Sequence, residues 1–326
     1  MIHSAETPTA TARTVWNLLD QRRQGQTVSD SVGLVVQGGG MRGVYSMAAL
    51  AALQEMGFHQ CFDHLAGSSA GALNGAYFLS GQSHYGVETY IHYLTKKSFV
   101  NPLRLKKIVD IDWLVDYIGK KGRRLHMDKL LSSPTLLHIS MTQWATGQPH
   151  YVTTRTADID IWEAFRASAA MPILYNKPIK VGNDYFVDGS LRAPVPIQRV
   201  VDHGCRYVVV ILTMPDSHRL SPTSRFLQSL SWPATRHYSP GLREALFSDH
   251  DNYNQLKTAL SRGNFQLNGS TDGVIVISPT HQPERLSMIT TDRQHLMRCA
   301  LQAREDTWRA FGQSPPEVAE PFALTA

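Results

Sequence analysis

Val32-Gly33-Leu34-Val35-Val36-Gln37-Gly38-Gly39-Gly40-Met41-Arg42-Gly43 is the stretch on which the fold turns. Its first six residues make a short apolar run of strand length, and three glycines then stop it. Beyond them Val44, Met47, Ala48, Ala51 and Met56 recur at helical spacing until Gly57. The order is strand, glycine loop, helix. Leu65 and Ala66 lead a second brief apolar segment into Gly67-Ser68-Ser69-Ala70-Gly71, which opens a small-residue helix through Leu79. The two halves together have the size of one βαβ unit.

Upstream, Ala12 to Gln24 carries Val15, Trp16, Leu18 and Leu19 on a broad helical face closed by Gly25. Downstream, Leu136 to Thr142 and His150 to Thr154 alternate like strands around a turn at Gly147, and Trp162 to Ala170 reads as a helix stopped by Pro172. Tyr185 to Val187 is a short strand that breaks at Asp188-Gly189-Ser190. Tyr207 to Leu212 is a continuous β-branched run suited to a buried parallel strand, and Val274 to Ile277 resembles it. A last helix is expected from Asp292 to Phe311. Strands alternating with helices indicate an α/β sheet covered on both faces. The expected division is a helical extension over 1–30, a catalytic core over 31–215, and a segment over 216–326 that packs on the core and contains a candidate lid.

The chain has 326 residues, 42% of them hydrophobic and 18% charged, which is ordinary globular composition. Met1 to Thr11 is polar, contains Glu6 and leads into no apolar signal core, so a soluble, cytoplasmic protein is expected. Cys61, Cys205 and Cys299 are odd in number and far apart, which argues against a disulfide framework. Asn268-Gly269-Ser270 fits a glycosylation pattern, but without a secretion signal it reads as a turn. A net charge of +5 is too small to argue for nucleic acid. No His-Glu-x-x-His and no Cys or His cluster with ligand spacing is present, so neither metal nor cofactor is expected.

Gly67-x-Ser69-x-Gly71 sits where a strand should turn sharply into a helix. Small neighbours permit a strained turn that exposes the Ser69 hydroxyl, and the helix N-terminus behind it favours developing negative charge. Ser68 is the poorer nucleophile, because Ala66 and Ala70 would then occupy the glycine positions. The five-residue pattern is common by chance, so a plain glycine-rich turn stays open. Gly38 to Gly43 also satisfies the dinucleotide pattern Gly-x-Gly-x-x-Gly, which makes a nucleotide-binding protein the rival. That site wants an acid at the end of the second strand. Here Gly67-Ser68-Ser69 stands there, and the nearest acid, Asp63, precedes the strand. An acyl-transfer site uses both loops: backbone N–H groups around Gly39 and Gly40 would meet the oxyanion formed at Ser69, each worth about 3 kcal/mol. Arg42 would brace this loop or meet a phosphate. Asp188-Gly189 lies at a strand end about 120 residues beyond Ser69. Taken alone it is a turn dipeptide.

Together the three loops resemble the patatin-like phospholipase family, from about Leu34 to Leu212. Phe62-Asp63, and Arg166-Ala167-Ser168-Ala169-Ala170-Met171-Pro172, also look like family segments. The resemblance implies a three-layer α/β sandwich with a mainly parallel central sheet, and a phospholipase, lysophospholipase or esterase acting on acyl-ester lipids without a cofactor. It further implies Ser69 as nucleophile, Asp188 as general base, and Gly38, Gly39, Gly40 and Arg42 as the oxyanion side. One departure stands out. The family usually follows the aspartate with two glycines, whereas here Ser190 follows Gly189.

A Ser-His-Asp α/β-hydrolase is the other alternative, since His203, His218, His237, His250, His281 and His295 all follow Asp188. That fold normally places several strands before its nucleophile, and only one is legible here. A dyad instead requires a partly desolvated Asp188 close to Ser69. Finally, Lys96, Lys97, Arg104, Lys106, Lys107, Lys120, Lys121, Arg123, Arg124 and Lys129 crowd one segment around Trp113, Leu114, Val115 and Ile118. They would contact an anionic membrane surface, or form an amphipathic helix with solvated charges, which is the plainer reading.

Overall fold

The opening apolar run forms strand β1 (Val32–Val36), all five of whose residues are buried. The structure is a computed structural model, describing residues 9–104, 107–172, 174–175, 177–215, 217–221, 235–248, 250–261, 273–280, 286–318 and 321–322. Lys106, His281, the Asn268-Gly269-Ser270 turn and much of the candidate lid lie outside the described residues.

The further strands are β2 (His64–Ser68), β3 (Leu136–Gln143), β4 (Pro149–Thr153), β5 (Ile179–Val181), β6 (Asp184–Asp188), β7 (Tyr207–Ile211) and β8 (Gly273–Ile277). They form one sheet in the order β5-β6-β3-β2-β1-β7-β8, with β4 also pairing with β3. β3, β2, β1, β7 and β8 run parallel. β4 and β6 are antiparallel to β3, and β5 to β6. The fold is therefore α/β, with a mainly parallel sheet between helical layers. Alternation across the pleat separates the two faces. Leu34 and Val36 join the cluster of Leu50, Phe78 and Ala300. Val35 instead packs with Ile197, Val200 and Tyr253.

Helix α2 (Gly43–Glu55) is buried at every residue from Gly43 through Leu53, not along the single stripe expected from Val44, Met47, Ala48 and Ala51. Its neighbours explain this. It lies among helix α3 (Ala70–Leu79), the helix Ser83–Glu88 and the terminal helix Arg293–Ala310. A helix covered on all sides is apolar all round. The terminal helix keeps the expected limits, with Asp292 accepting a capping bond from the His295 N–H at 3.1 Å. Helix α1 (Ala10–Arg23) docks through Trp16, whose ring meets Phe58 and Phe311 at 5.2 and 5.8 Å between centroids.

The basic segment departs from a solvated amphipathic helix. Its π-helical stretch Trp113–Gly122 buries Val115 and Ile118, and acids interleaved in the same region neutralise several cations. Lys107 pairs with Asp110 at 2.8 Å and Asp112 at 2.6 Å, Lys120 with Asp116 at 3.0 Å, and Arg123 with the buried Glu88 at 2.8 Å. Lys96, Lys97, Lys121, Arg124 and Lys129 remain exposed. No helix among the described residues is long and apolar enough to cross a membrane.

Candidate active site

Register brings the distant loops together. Ser68 is level with Ser140, and the next residue of β3, Met141, is level with Asp188. A parallel strand carrying the serine and an antiparallel strand carrying the aspartate thus end at one height, on either side of β3. Gly189 lies against the Ser140 carbonyl oxygen so closely that no side chain fits between them.

Ser69 occupies the bend between β2 and α3 with φ 55° and ψ −129°, a conformation that only a few side-chain-bearing residues adopt. Gly67, the last residue but one of β2, lies against the Gly71 carbonyl, and Gly71 is pressed against the Val36 carbonyl, where a Cβ would collide. The Ser69 N–H donates to the Ser168 hydroxyl at 3.0 Å. That bond fixes the bend and also occupies the residue's own amide. The Ser69 hydroxyl donates to Asp188 Oδ2 at 2.7 Å. Both residues are buried, Ser69 at 7% and Asp188 at 1% exposure.

Burial pushes the Asp188 carboxyl up from 3.8 to about 6, against hydrogen bonds from Ser190 and Ser69 that favour the charged form. Its second oxygen, Oδ1, accepts from the Ser190 N–H at 2.8 Å and the Ser190 hydroxyl at 2.6 Å. The Thr142 hydroxyl donates to the Asp188 backbone carbonyl at 2.9 Å. Among the described residues no histidine hydrogen-bonds to Ser69 or Asp188. His203 lies at the other end of the sheet beside His64 and His138, and His237 packs against Trp144 and Tyr238.

The glycine loop lies against the serine. A Cβ on Gly38 would run into the Ser68 carbonyl and Ser69 Cβ, so only glycine permits this approach. The Thr213 hydroxyl donates to the Gly38 carbonyl at 2.6 Å, and Gly39, at φ 134°, turns the chain towards Gly40 and Arg42. The Met41 N–H is taken by the Met288 carbonyl at 2.9 Å, whereas the Gly39 and Gly40 N–H groups meet no partner among the described residues. Arg42 reaches Met214 Sδ at 3.2 Å through Nη1, while its buried Nε has no partner among the described residues. Burial holds this guanidinium below its usual range.

Ser69, Asp188, Ser190 and the glycine loop open onto a cavity of about 430 Å³. Leu73, Leu94, Leu114, Ile118 and Trp162 make much of it apolar, while Arg42, Asn74, His218 and His250 supply polar groups. Several wall residues are absent from the sequence reading. Leu246 and Phe247 come from a late helix, Pro240–Ser248, whose position no local pattern reveals. Asn74 is the exception that a local signal could have found, as the one amide in the apolar run of α3. Its Nδ2 donates to the Gly43 carbonyl at 2.8 Å and Ser46 at 3.0 Å, and Tyr90 donates to its Oδ1 at 3.1 Å. This buried network ties α3 to the start of α2. No group of His, Cys, Asp and Glu among the described residues is arranged to hold a metal ion.

The model of the family described as patatin-like phospholipase matches residues 34–201, about half of the chain. The uncharacterized Escherichia coli (strain K12) protein YjjU is 29% identical over 198 residues, 59% of this chain. This chain spans 54% of that relative, about half its length. Among solved structures, VipD from Legionella pneumophila is similar with a TM-score of 0.42 and 13% identity, over 88% of this chain and 67% of that one. The type III effector ExoU, from Pseudomonas aeruginosa, is similar with a TM-score of 0.35 and 14% identity, over 85% of this chain and 52% of that one.

Proposed function

The chain belongs to the patatin-like phospholipase family, and from that premise we propose that it hydrolyses acyl esters of lipids with Ser69 as nucleophile and Asp188 as general base. The observation that carries this reading is the 2.7 Å bond from the Ser69 hydroxyl to a buried carboxylate at the wall of an apolar cavity. As Ser69 Oγ attacks the ester carbonyl, its proton passes to Asp188 Oδ2. The carbonyl oxygen takes up negative charge opposite the Gly39 and Gly40 N–H groups, with the Arg42 cation nearby. Collapse expels the alcohol, which takes the proton from Asp188 and leaves an ester on Ser69. Water then attacks that ester, Asp188 accepting its proton and returning it to Ser69 Oγ as the acid is released.

A carboxyl displaced to about 6 is a far better base than one at its ordinary value, yet still ionised at neutral pH. The apolar wall accounts for an acyl chain as the buried part of the substrate. Exposed Lys96, Lys97, Lys121 and Arg124, on the segment that supplies Leu114 and Ile118 to that wall, would meet an anionic lipid surface. A fluorophosphonate probe should label Ser69, and a panel from short nitrophenyl esters to phospholipid vesicles should be hydrolysed by the parent and not by a folded Ser69→Ala variant. Equal hydrolysis by that variant would overturn the assignment.

A further inference from the structure

Ser190 stands where the sequence departs from two glycines, and its hydroxyl is not idle. Asp188 divides its carboxylate between two tasks. Oδ2 accepts only the Ser69 hydroxyl among the described residues, while Oδ1 accepts the Ser190 N–H at 2.8 Å and the Ser190 hydroxyl at 2.6 Å. Gly189 backs directly onto Ser140, and the Asp188 N–H donates to the Ala170 carbonyl at 3.1 Å, so the backbone of the turn has no freedom to re-aim the carboxylate.

The electrostatic setting gives the hydroxyl unusual weight. Asp188 has no ion-pair partner among the described residues, so three hydrogen bonds hold the charge that burial opposes. The groups packed on the turn are Ser140, Met141 and Thr142 of β3, with Ser168 at the end of the helix Ile161–Ser168 and Ala170 just beyond it, and none of them titrates near neutrality. Arg192, next along the chain, is engaged by the Gly147 and Gly241 carbonyls and by Glu244. Arg42, His218 and His250 line the same cavity.

We propose that Ser190 is a positioning residue for the reaction: it clamps one carboxylate oxygen of Asp188, leaves the other facing Ser69, and extends the reaction to lower pH by stabilising the ionised base. The proposal rests on the reading of Ser69 and Asp188 as nucleophile and base. A glycine at the same position would keep the N–H bond and lose the hydroxyl bond, and each bond to an ionised carboxylate is stronger than one between neutral groups. Removing a donor from a buried carboxylate makes ionisation harder, so the acid side of the pH profile must move upward. A base that is harder to ionise is also a stronger one, so the rate on the plateau should change much less than the position of the limb.

The test is the pH dependence of kcat/KM for a short nitrophenyl ester, and separately of the rate of fluorophosphonate labelling, in the full chain and in Ser190→Ala, Ser190→Gly and Ser190→Thr. The alanine and glycine variants should move the acid limb upward by about one pH unit, with plateau rates within about tenfold of the parent. The threonine variant, which keeps a hydroxyl, should return the limb towards its original position. A merely structural role would lower rates at every pH without displacing the limb. Superimposable profiles, or a downward displacement, would overturn the proposal. Asp188→Asn is run alongside: if it is inactive while the Ser190 limb does not move, only the role of Ser190 fails. If Asp188→Asn keeps parental activity, the base assignment and the role of Ser190 fail together.

Discussion

The two ends of the parallel sheet each bury a titratable side chain and disfavour its charged form, but they differ in what surrounds it. At the carboxyl end Asp188 is pushed up to about 6 by burial. At the amino end His138, wholly buried on β3, is pushed down to about 3 by burial and by neighbouring Arg199, His203 and His64. Arg199 Nε donates to His138 Nδ1 at 3.1 Å, which requires the proton on Nε2, and that nitrogen faces His64 Nδ1 at 3.0 Å. Both ring nitrogens of His138 are thus engaged by protein. The same bond argues against metal binding there, because a histidine ligand wants an acceptor, not a guanidinium, on its other nitrogen. At the carboxyl end the Ser69–Asp188 pair instead opens onto a cavity, with unpartnered glycine amides beside it among the described residues. A perturbed pKa becomes useful for catalysis only where a reactant has somewhere to go.

The sharpest break in this comparison is Ser69→Ala. It should lower ester turnover by at least about 10⁴-fold and abolish fluorophosphonate labelling, without loss of the folded state as read by thermal unfolding. Next comes Asp188→Asn, expected to reduce kcat by about 10³-fold and to stabilise the fold. A carboxyl moved from 3.8 to about 6 makes its charged form costly to the folded state by about 3 kcal/mol. Its contribution to stability is full below pH 3.8 and is lost as pH rises through about 6. The variant should therefore melt higher than the parent at pH 8 and at the same temperature below pH 3.8. A lower melting temperature at pH 8 would contradict the sign.

His138→Phe tests the other end. It strips partners from Arg199 and His64 and should cost about 2 kcal/mol at pH 8, while turnover stays within about twofold of the parent. Because folding depresses the His138 pKa from 6.5 to about 3, its stabilising contribution is present above pH 6.5 and disappears as pH falls towards 3. The gap between parent and variant should narrow over that window. A large loss of turnover would mean that the two ends are coupled. The smallest effect is steric: Leu114→Trp should reduce kcat/KM by about tenfold for long-chain esters and leave acetate esters nearly unchanged. Equal loss on both would show that the residue does not line the acyl path.

Local pattern carried far in this chain because the relevant constraints are local. A strand stopped by glycines, a Gly-x-Ser-x-Gly bend and a capped terminal helix each follow from backbone sterics and hydrophobic period, and each is found where the sequence indicates it. Burial on every side of α2 was not legible, since a helix enclosed by partners has no stripe to betray its orientation. Nor was the pairing of Arg123 with Glu88, 35 residues earlier in the chain, whereas Lys107 with Asp110 and Lys120 with Asp116 are neighbours at i,i+3 and i,i+4 whose spacing could have offered them.

The sequence by itself determined the α/β class, the two glycine loops and the family resemblance that singled out Ser69 and Asp188. Tertiary structure alone decided that the two residues meet. Their hydrogen bond depends on the register of β3 between a parallel and an antiparallel neighbour, which brings together positions 119 residues apart. It also decided what Ser190 does. In the sequence that residue is a missing glycine. In the fold, burial removes the water that would otherwise solvate Asp188, and the Ser190 hydroxyl takes its place on Oδ1.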